Sequence, residues 1–536
     1  MKAMNHWTDT SFDQLLEFLG FVLPKDNKLP KSHYEAKKLM KKVGLGYESI
    51  HACKNDCCLF WKENEDMQSC PICHESTWKD KDTKGLKVAN KVLRYFPLTS
   101  RLKRLYSCRH TTKSITWHAT GKCTEDGRMR HPVDGTSWKD FDQRYPDFAR
   151  ETRNVRLGLA ADGVNPYGNM SLSYSMWSVI LTTYNMPRGP LVDELKSLWS
   201  YGVQTRDAAT NSVFQMRAML LWTINDFAAH HYLSGWSGQG HLACPTCNAN
   251  TPSTRVLRKT AYVGHRRFLP HNHKWRNDKK FNGNVETKSC PRKFDETDIL
   301  VQLNNLPLRT PGKHPSYGGS KASKRKREPN ELNWSKQSIF FELEYWSSLQ
   351  LKYNLDVMHI EKKHTTNARK YLEKLMIRDD LWLKEENGKL LKPHPKFSFT
   401  REYKRLFCKF IKGVKLPDGF GSNFKQKASD TEDNISGMKS HDYHIMMQRL
   451  MPLGVRGYLD PTISTPIIEL SSFFKQICAR NLMTRDMENA KEQLIKILCT
   501  FEQIYPQAFF DIMIHLVMHL PEEAIQGGPV YMRWMY

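Results

Sequence analysis

The side chains best placed to do chemistry are acids at the ends of apolar runs. The first is Asp162, in residues 154–185 (NVRLGLAADGVNPYGNMSLSYSMWSVILTTYN). An apolar, strand-like run ends at this acid. Gly163, Asn165, Pro166, Gly168 and Asn169 then predict a turn, and 177–184 a second strand. A carboxylate at the end of a buried strand, beside a turn, is a good metal-ligand position. The strand fixes it and the turn leaves room for substrate. An Asp before Gly is also a common turn residue, so Asp162 needs partners. Asp226 is one candidate: the apolar run 219–224 ends at Asn225-Asp226, although such an Asp also suits a helix cap. Asp356 and Glu361, in NLDVMHIEK, are candidates for a third acid. A helix starting near Tyr353 would set these two about 140° apart, so at most one would be a ligand. Acids of this kind hold Mg²⁺ or Mn²⁺ in phosphodiester chemistry.

Thiols and imidazoles form the second group. Cys53 and Cys57 are a C-x3-C pair, and Cys70 and Cys73 a C-x2-C pair. Four thiolates on two short loops suit a tetrahedral structural Zn²⁺. Cys58 could replace Cys57, and His51 or His74 could replace a thiolate. A second pattern is C-x2-C-x17-H-x5-H: Cys244, Cys247, His265 and His271, with His273 an alternative to His271. Arg255, Arg258, Lys259, Arg266 and Arg267 would let this site press a basic loop on nucleic acid. His441, His444, His515 and His519 fall in apolar helical stretches and read as core or surface histidines. Short-spaced pairs account for most of the thirteen cysteines, a pattern that favours zinc over disulfides in a reducing compartment.

The elements around these groups follow from composition and pattern. A net charge of +25 in 536 residues points to a polyanionic partner, nucleic acid before membrane. No apolar run reaches spanning length and no signal-peptide pattern opens the chain, which predicts a soluble intracellular protein. Residues 1–50 read as a helical segment, with Ser11 and Ser32 as caps, and 51–80 as a zinc knuckle. In the basic and aromatic region 81–150, Leu93, Phe96, Leu102 and Leu105 can pack. Lys91, Arg94, Arg101, Lys103 and Arg104 would then face outward, toward phosphates. An α/β core is expected over 151–235 and 336–400, interrupted by a zinc-binding insertion and basic linker at 236–335. Within that linker, 324–327 form a short basic run suited to nuclear localisation or an electrostatic tether. Residues 401–536 read as a helical domain, and the ending GGPVYMRWMY predicts that the chain stops inside it. If the core is RNase H-like, its first and fourth strands lie side by side and carry Asp162 and Asp226 to one edge.

Several motifs make the chain resemble the plant CACTA (En/Spm-type) transposases along nearly its whole length. They are HACKNDC with CPIC, KVLRYFPLTSRLKRLY, NVRLGLAADGVNPYGNMS, MRAMLLWTINDF, GWSGQGHLACPTCN, GHRRFLP, NLDVMHIEK and GGPVYMRWMY. The resemblance implies a DDE-type enzyme with an RNase H-like core. Such an enzyme cuts at transposon ends and joins the freed 3′-hydroxyl to target DNA. It implies Asp162, Asp226 and Glu361 as the metal-binding acids, with Asp356 as the alternative third. Double-stranded DNA, a second element-encoded DNA-binding protein and further copies of the chain are the implied partners, in the nucleus. The helical end resembles the domain of unknown function that often follows in this family. Two departures stand out: 187–190 replace a longer segment carrying a third strand, and the chain is shortened directly after Glu361. They suggest an inactive copy, or a domesticated derivative that only binds DNA or protein.

Overall fold

The computed structural model describes residues 7–79, 85, 87–121, 123–164, 176–182, 191–256, 259–306, 332–355, 378–386, 389–391, 393–417, 424–428, 435–438 and 440–530. Its architecture is mixed α/β with a helical C-terminal region. The N-terminal pair of helices forms where the apolar spacing predicts, as α1 (Asp9–Val22) and α2 (His33–Lys42). Ser32 caps α2, but Thr8 rather than Ser11 caps α1, its side chain accepting from the Ser11 N–H. The knuckle sits on a small antiparallel sheet of β1 (Glu48–Ala52), β2 (Leu59–Phe60) and β3 (Lys91–Tyr95). Helix α3 (Leu98–Tyr106) follows. Lys91, Arg94, Lys103 and Arg104 are exposed. Arg101 departs from that pattern, because its guanidinium donates to the carbonyls of Gly44, Leu45, Gly46 and Pro97 and ties α2 to α3.

The central sheet is built from β4 (Val155–Val164), β5 (Met176–Thr182), β6 (Ala218–Asn225) and β7 (Tyr353–Leu355), in the order β7-β6-β4-β5. The outer pair β4–β5 is antiparallel, whereas β4–β6 and β6–β7 are parallel. All eight residues of β6 are buried, as expected of a parallel strand covered on both faces. Segment 353–355 is therefore a strand and not the start of a helix. It takes its conformation from Thr223–Asn225 alongside, a long-range pairing.

Helix α4 (Leu191–Ser200) covers the sheet with Leu195, Leu198 and Trp199. The Trp199 ring stacks on Phe148 and meets Tyr345, whose hydroxyl accepts from the Leu220 N–H. The same buried cluster continues into the C-terminal helices α6 (Pro461–Ile477), α7 (Thr484–Ile504), α8 (Ile512–Leu516) and α9 (Leu520–Gly527). α5 (Phe227–Ser234) leaves the end of β6. Docking of α9 is close: a Cβ on Gly135 would lie 2.4 Å from the Gln526 carbonyl oxygen, so only glycine fits there. Residues 401–413 and 440–450 instead close a smaller cluster around Phe407, Ile411 and Leu450.

Arg266 and Arg267 do not form an exposed basic loop. Both are buried, and Arg276 beside them is only 2% exposed. Arg266 donates to the carbonyls of Trp275, Arg276, Asp278 and Asn284 and to the Asn282 side chain. Arg276 donates to the carbonyls of Arg266, Arg267, Leu269 and Lys288. Two guanidinium groups thus replace secondary structure in pairing the irregular backbone of 264–289. Arg276→Met should remove this donor from the carbonyls of Arg267, Leu269 and Lys288, each costing about 1–3 kcal/mol when buried, while the Arg266 carbonyl keeps the Leu269 N–H. A loss of at least roughly 3 kcal/mol in a urea titration is expected, and a change below about 1 kcal/mol would contradict this role.

Candidate metal centres

Among the described residues, two groups of side chains could hold a metal ion, each with its ligand atoms within 4.8 Å of one another. Cys53, Cys57, Cys70 and Cys73 make the first. The Cys53 N–H donates to the Cys58 carbonyl, and the His74 N–H to the Cys70 carbonyl, closing two tight loops. Positive φ at Asp56 and His74 turns each loop back on itself. Cys53 Sγ lies 3.4 Å from Cys73 Sγ. Donors around a tetrahedral zinc stand roughly 3.3–3.8 Å apart, so the spacing fits.

Cys58 is a fifth thiol, 3.6 Å from Cys70 Sγ. Burial, then the Cys70 thiol beside it, pushes Cys58 up to about 12. For Cys73, burial raises the pKa, but hydrogen bonds from the Glu75 backbone, Asn55 and neighbouring thiols prevail and bring it to about 6. The thiolate needed for metal binding is therefore favoured at Cys73.

The second group is Cys244, Cys247, His515 and His519. His519 Nε2 lies 3.3 Å from Cys244 Sγ and 3.5 Å from Cys247 Sγ. His515 Nε2 lies 3.4 Å from Cys247 Sγ. Burial disfavours the Cys244 thiolate, but the Cys247 hydrogen bond and the two imidazoles outweigh it and push this thiol well down. The cysteines lie on the loop after α5, and the histidines stand four apart where α8 runs into a 3-10 turn at Val517–His519.

This donor set corrects the expected one. His265 is fully buried but faces Glu502, with Nδ1 2.5 Å from Oε1. His271 is exposed, and His273 caps the short helix Lys274–Asn277 through Nδ1. Local spacing favoured these histidines, yet the ligands come from 268 residues further on. The signal that could have found them is the H-x3-H spacing of His515 and His519 on one helical face.

The central sheet fixes the backbone at Asp162 and beside Asp226. Ala161 pairs with Asn225, and Asn225 with Leu355. Asp162 and Asp226 are thus each the residue after a paired position, on parallel neighbouring strands. Asp162 pairs through its backbone with Ser178 of β5. Asp226 is half-buried and caps α5, its Oδ1 accepting from the Ala229 N–H at 2.6 Å. Asp356 and Glu361 lie outside the described residues.

Residues 126–189 and 188–306 match the family model described as "Transposase family tnp2". The chain carries a transposase-family segment. Residues 477–536 of this transposase-related chain match a "Domain of unknown function (DUF4218)". Cys244 and Cys247 belong to the first matched region and His515 and His519 to the second, so the second donor group joins the two. No curated protein and no solved structure matches the chain. Among the described residues, no helix is long and apolar enough to cross a membrane.

Proposed function

We propose that this chain is, by descent, a DDE-type DNA transposase of the plant CACTA group, acting in the nucleus on double-stranded DNA at transposon ends and target sites. The observation that carries the reading is the register of β4 and β6, which leaves Asp162 and Asp226 at the same end of adjacent parallel strands. The order β7-β6-β4-β5, with only the β4–β5 pair antiparallel, is the arrangement expected of an RNase H-like core. Asp162, Asp226 and Glu361, with Asp356 as the alternative third acid, would hold Mg²⁺ or Mn²⁺. Such ions activate a water or a 3′-hydroxyl and stabilise the leaving oxygen.

Within this reading, the cap at Asp226 has a positioning role. The Ala229 N–H fixes Oδ1, and Oδ2 makes no hydrogen bond to the described residues. One oxygen thus orients the group, which in this reading leaves the other available to a metal ion. Exposed Lys91, Arg94, Lys103 and Arg104 supply phosphate contacts that place DNA without reading sequence. Zinc is the metal best matched to both Cys/His groups. Four protein ligands leave no open position, so each site is structural and not catalytic. Further copies of the chain and a second element-encoded DNA-binding protein complete the proposed assembly.

A catalytically silent derivative is the second reading, and one observation favours it. The tnp2 match falls in two pieces that meet at residues 188–189, within the short connection 187–190. A match broken at this point is what a deletion relative to the family would give. An excision assay on the element's terminal repeats separates the readings. It compares the chain, Asp162→Ala, and a version restored across 187–190. Excision abolished by Asp162→Ala supports catalysis, and equal excision by that variant defeats the catalytic assignment. Excision only after restoration identifies a decayed copy.

A further inference from the structure

His265 and Glu502 stand beside the second metal centre without entering it. Glu502 lies on α7, 6% exposed, and its Oε1 accepts from the backbone N–H groups of Gly264 and His265 as well as from His265 Nδ1. A carboxylate oxygen with three donors fixes a proton on His265 Nδ1, and the corresponding neutral tautomer offers Nε2 as an acceptor. That Nε2 is buried and has no hydrogen-bond partner among the described residues. On the metal side, His515 directs Nε2 at Cys247 Sγ, and its Nδ1 is likewise buried without a partner. A histidine bound to metal through Nε2 carries its proton on Nδ1, and that N–H needs an acceptor. One ring therefore has an unmet acceptor and the other an unmet donor. Their centroids lie 5.9 Å apart, with 34° between the ring planes. Two imidazoles sharing an N–H···N bond of about 3 Å have centroids roughly 5–5.5 Å apart. The bond is not formed at this separation; forming it requires the two centroids to close by roughly 0.4–0.9 Å.

We propose that His265 is a positioning residue for the metal centre, carrying a hydrogen-bonded chain from Glu502 through His265 to His515. The chain fixes the tautomer and ring orientation of His515 and strengthens its lone pair toward the ion. It also links α7 and the loop at Gly264 to the metal. This inference rests on the reading of Cys244, Cys247, His515 and His519 as a zinc site.

The full-length protein is loaded with Zn²⁺, and affinity is measured by competition with a chromogenic chelator for the wild type, His265→Phe, Glu502→Gln and His265→Gln. His265→Phe keeps an aromatic ring of similar size but has neither donor nor acceptor. It should weaken one of the two zinc sites about ten- to a hundredfold, and Glu502→Gln should act in the same direction. His265→Gln carries both a donor and an acceptor and should recover most of the affinity. Urea midpoints of the metal-free proteins separate a packing defect from a metal effect. In Co²⁺-loaded protein, the visible ligand-field bands should shift in His265→Phe while the thiolate charge-transfer bands persist. Wild-type zinc affinity in both His265→Phe and Glu502→Gln overturns the proposal. If wild-type protein and Cys244→Ser bind the same number of zinc ions, the underlying site has failed instead.

Discussion

Asp226→Asn is expected to lower DNA strand cleavage at least about a thousandfold, some 4 kcal/mol of transition-state stabilisation, while leaving thermal stability unchanged. The prediction separates two jobs of one side chain. As a helix cap, Asp226 accepts from the Ala229 N–H, and asparagine does this about as well as aspartate. As the proposed metal ligand, it would supply negative charge that asparagine lacks. Asp226→Ala should lose both, adding a destabilisation of about 1 kcal/mol. Cleavage and thermal melting of the three proteins would be compared, in the form restored across 187–190 if the chain as it stands does not excise. An Asn variant that cleaves at the wild-type rate would show that Asp226 is a cap and nothing more.

The second large effect is expected at Cys244. Cys244→Ser should reduce bound zinc from two ions per chain to one, because the Cys53 group keeps its own ligands. Stability should fall far more than after Cys53→Ser. The reason is placement: Cys244, Cys247, Leu516 and Leu520 share one buried cluster with the central sheet. The Cys53 group forms a small cluster apart. Zinc binding contributes about 10–16 kcal/mol to folding in small zinc peptides, comparable to the whole stability of a domain at about 5–15 kcal/mol. Metal analysis, melting curves and limited proteolysis of the C-terminal helices would test this. Two zinc ions and an unchanged melt in Cys244→Ser would rule the site out.

How far the sequence anticipates these features depends on the range of the interaction involved. The Cys53–Cys73 group assembles as expected because its four thiols sit on two adjacent loops. Strands β4 and β6 were legible as apolar runs, although β4 continues past Asp162 and Gly163, expected to begin a turn, to Val164. Segment 353–355 was not, because three residues carry no periodicity and their strand state is imposed by Thr223–Asn225. His265 was a reasonable ligand by spacing, yet it lies behind the metal group and not in it. Arg266 and Arg276 show the limit of reading charge as surface. Composition made that region basic, while the carbonyls that bury the two guanidinium groups appear only in three dimensions. The long-range ligands His515 and His519 were hidden for the same reason, since nothing near Cys244 refers to them.

The join between Cys247 and His515 also has a timetable. Their separation is 268 residues, and a ribosome adding about 5–20 residues per second needs roughly 13–54 s to cover it. Throughout that interval the two thiols exist without their imidazoles. A chain that ends before His515 never acquires them. The four donors can therefore meet only after the helices carrying His515 and His519 have been made and have packed against the sheet.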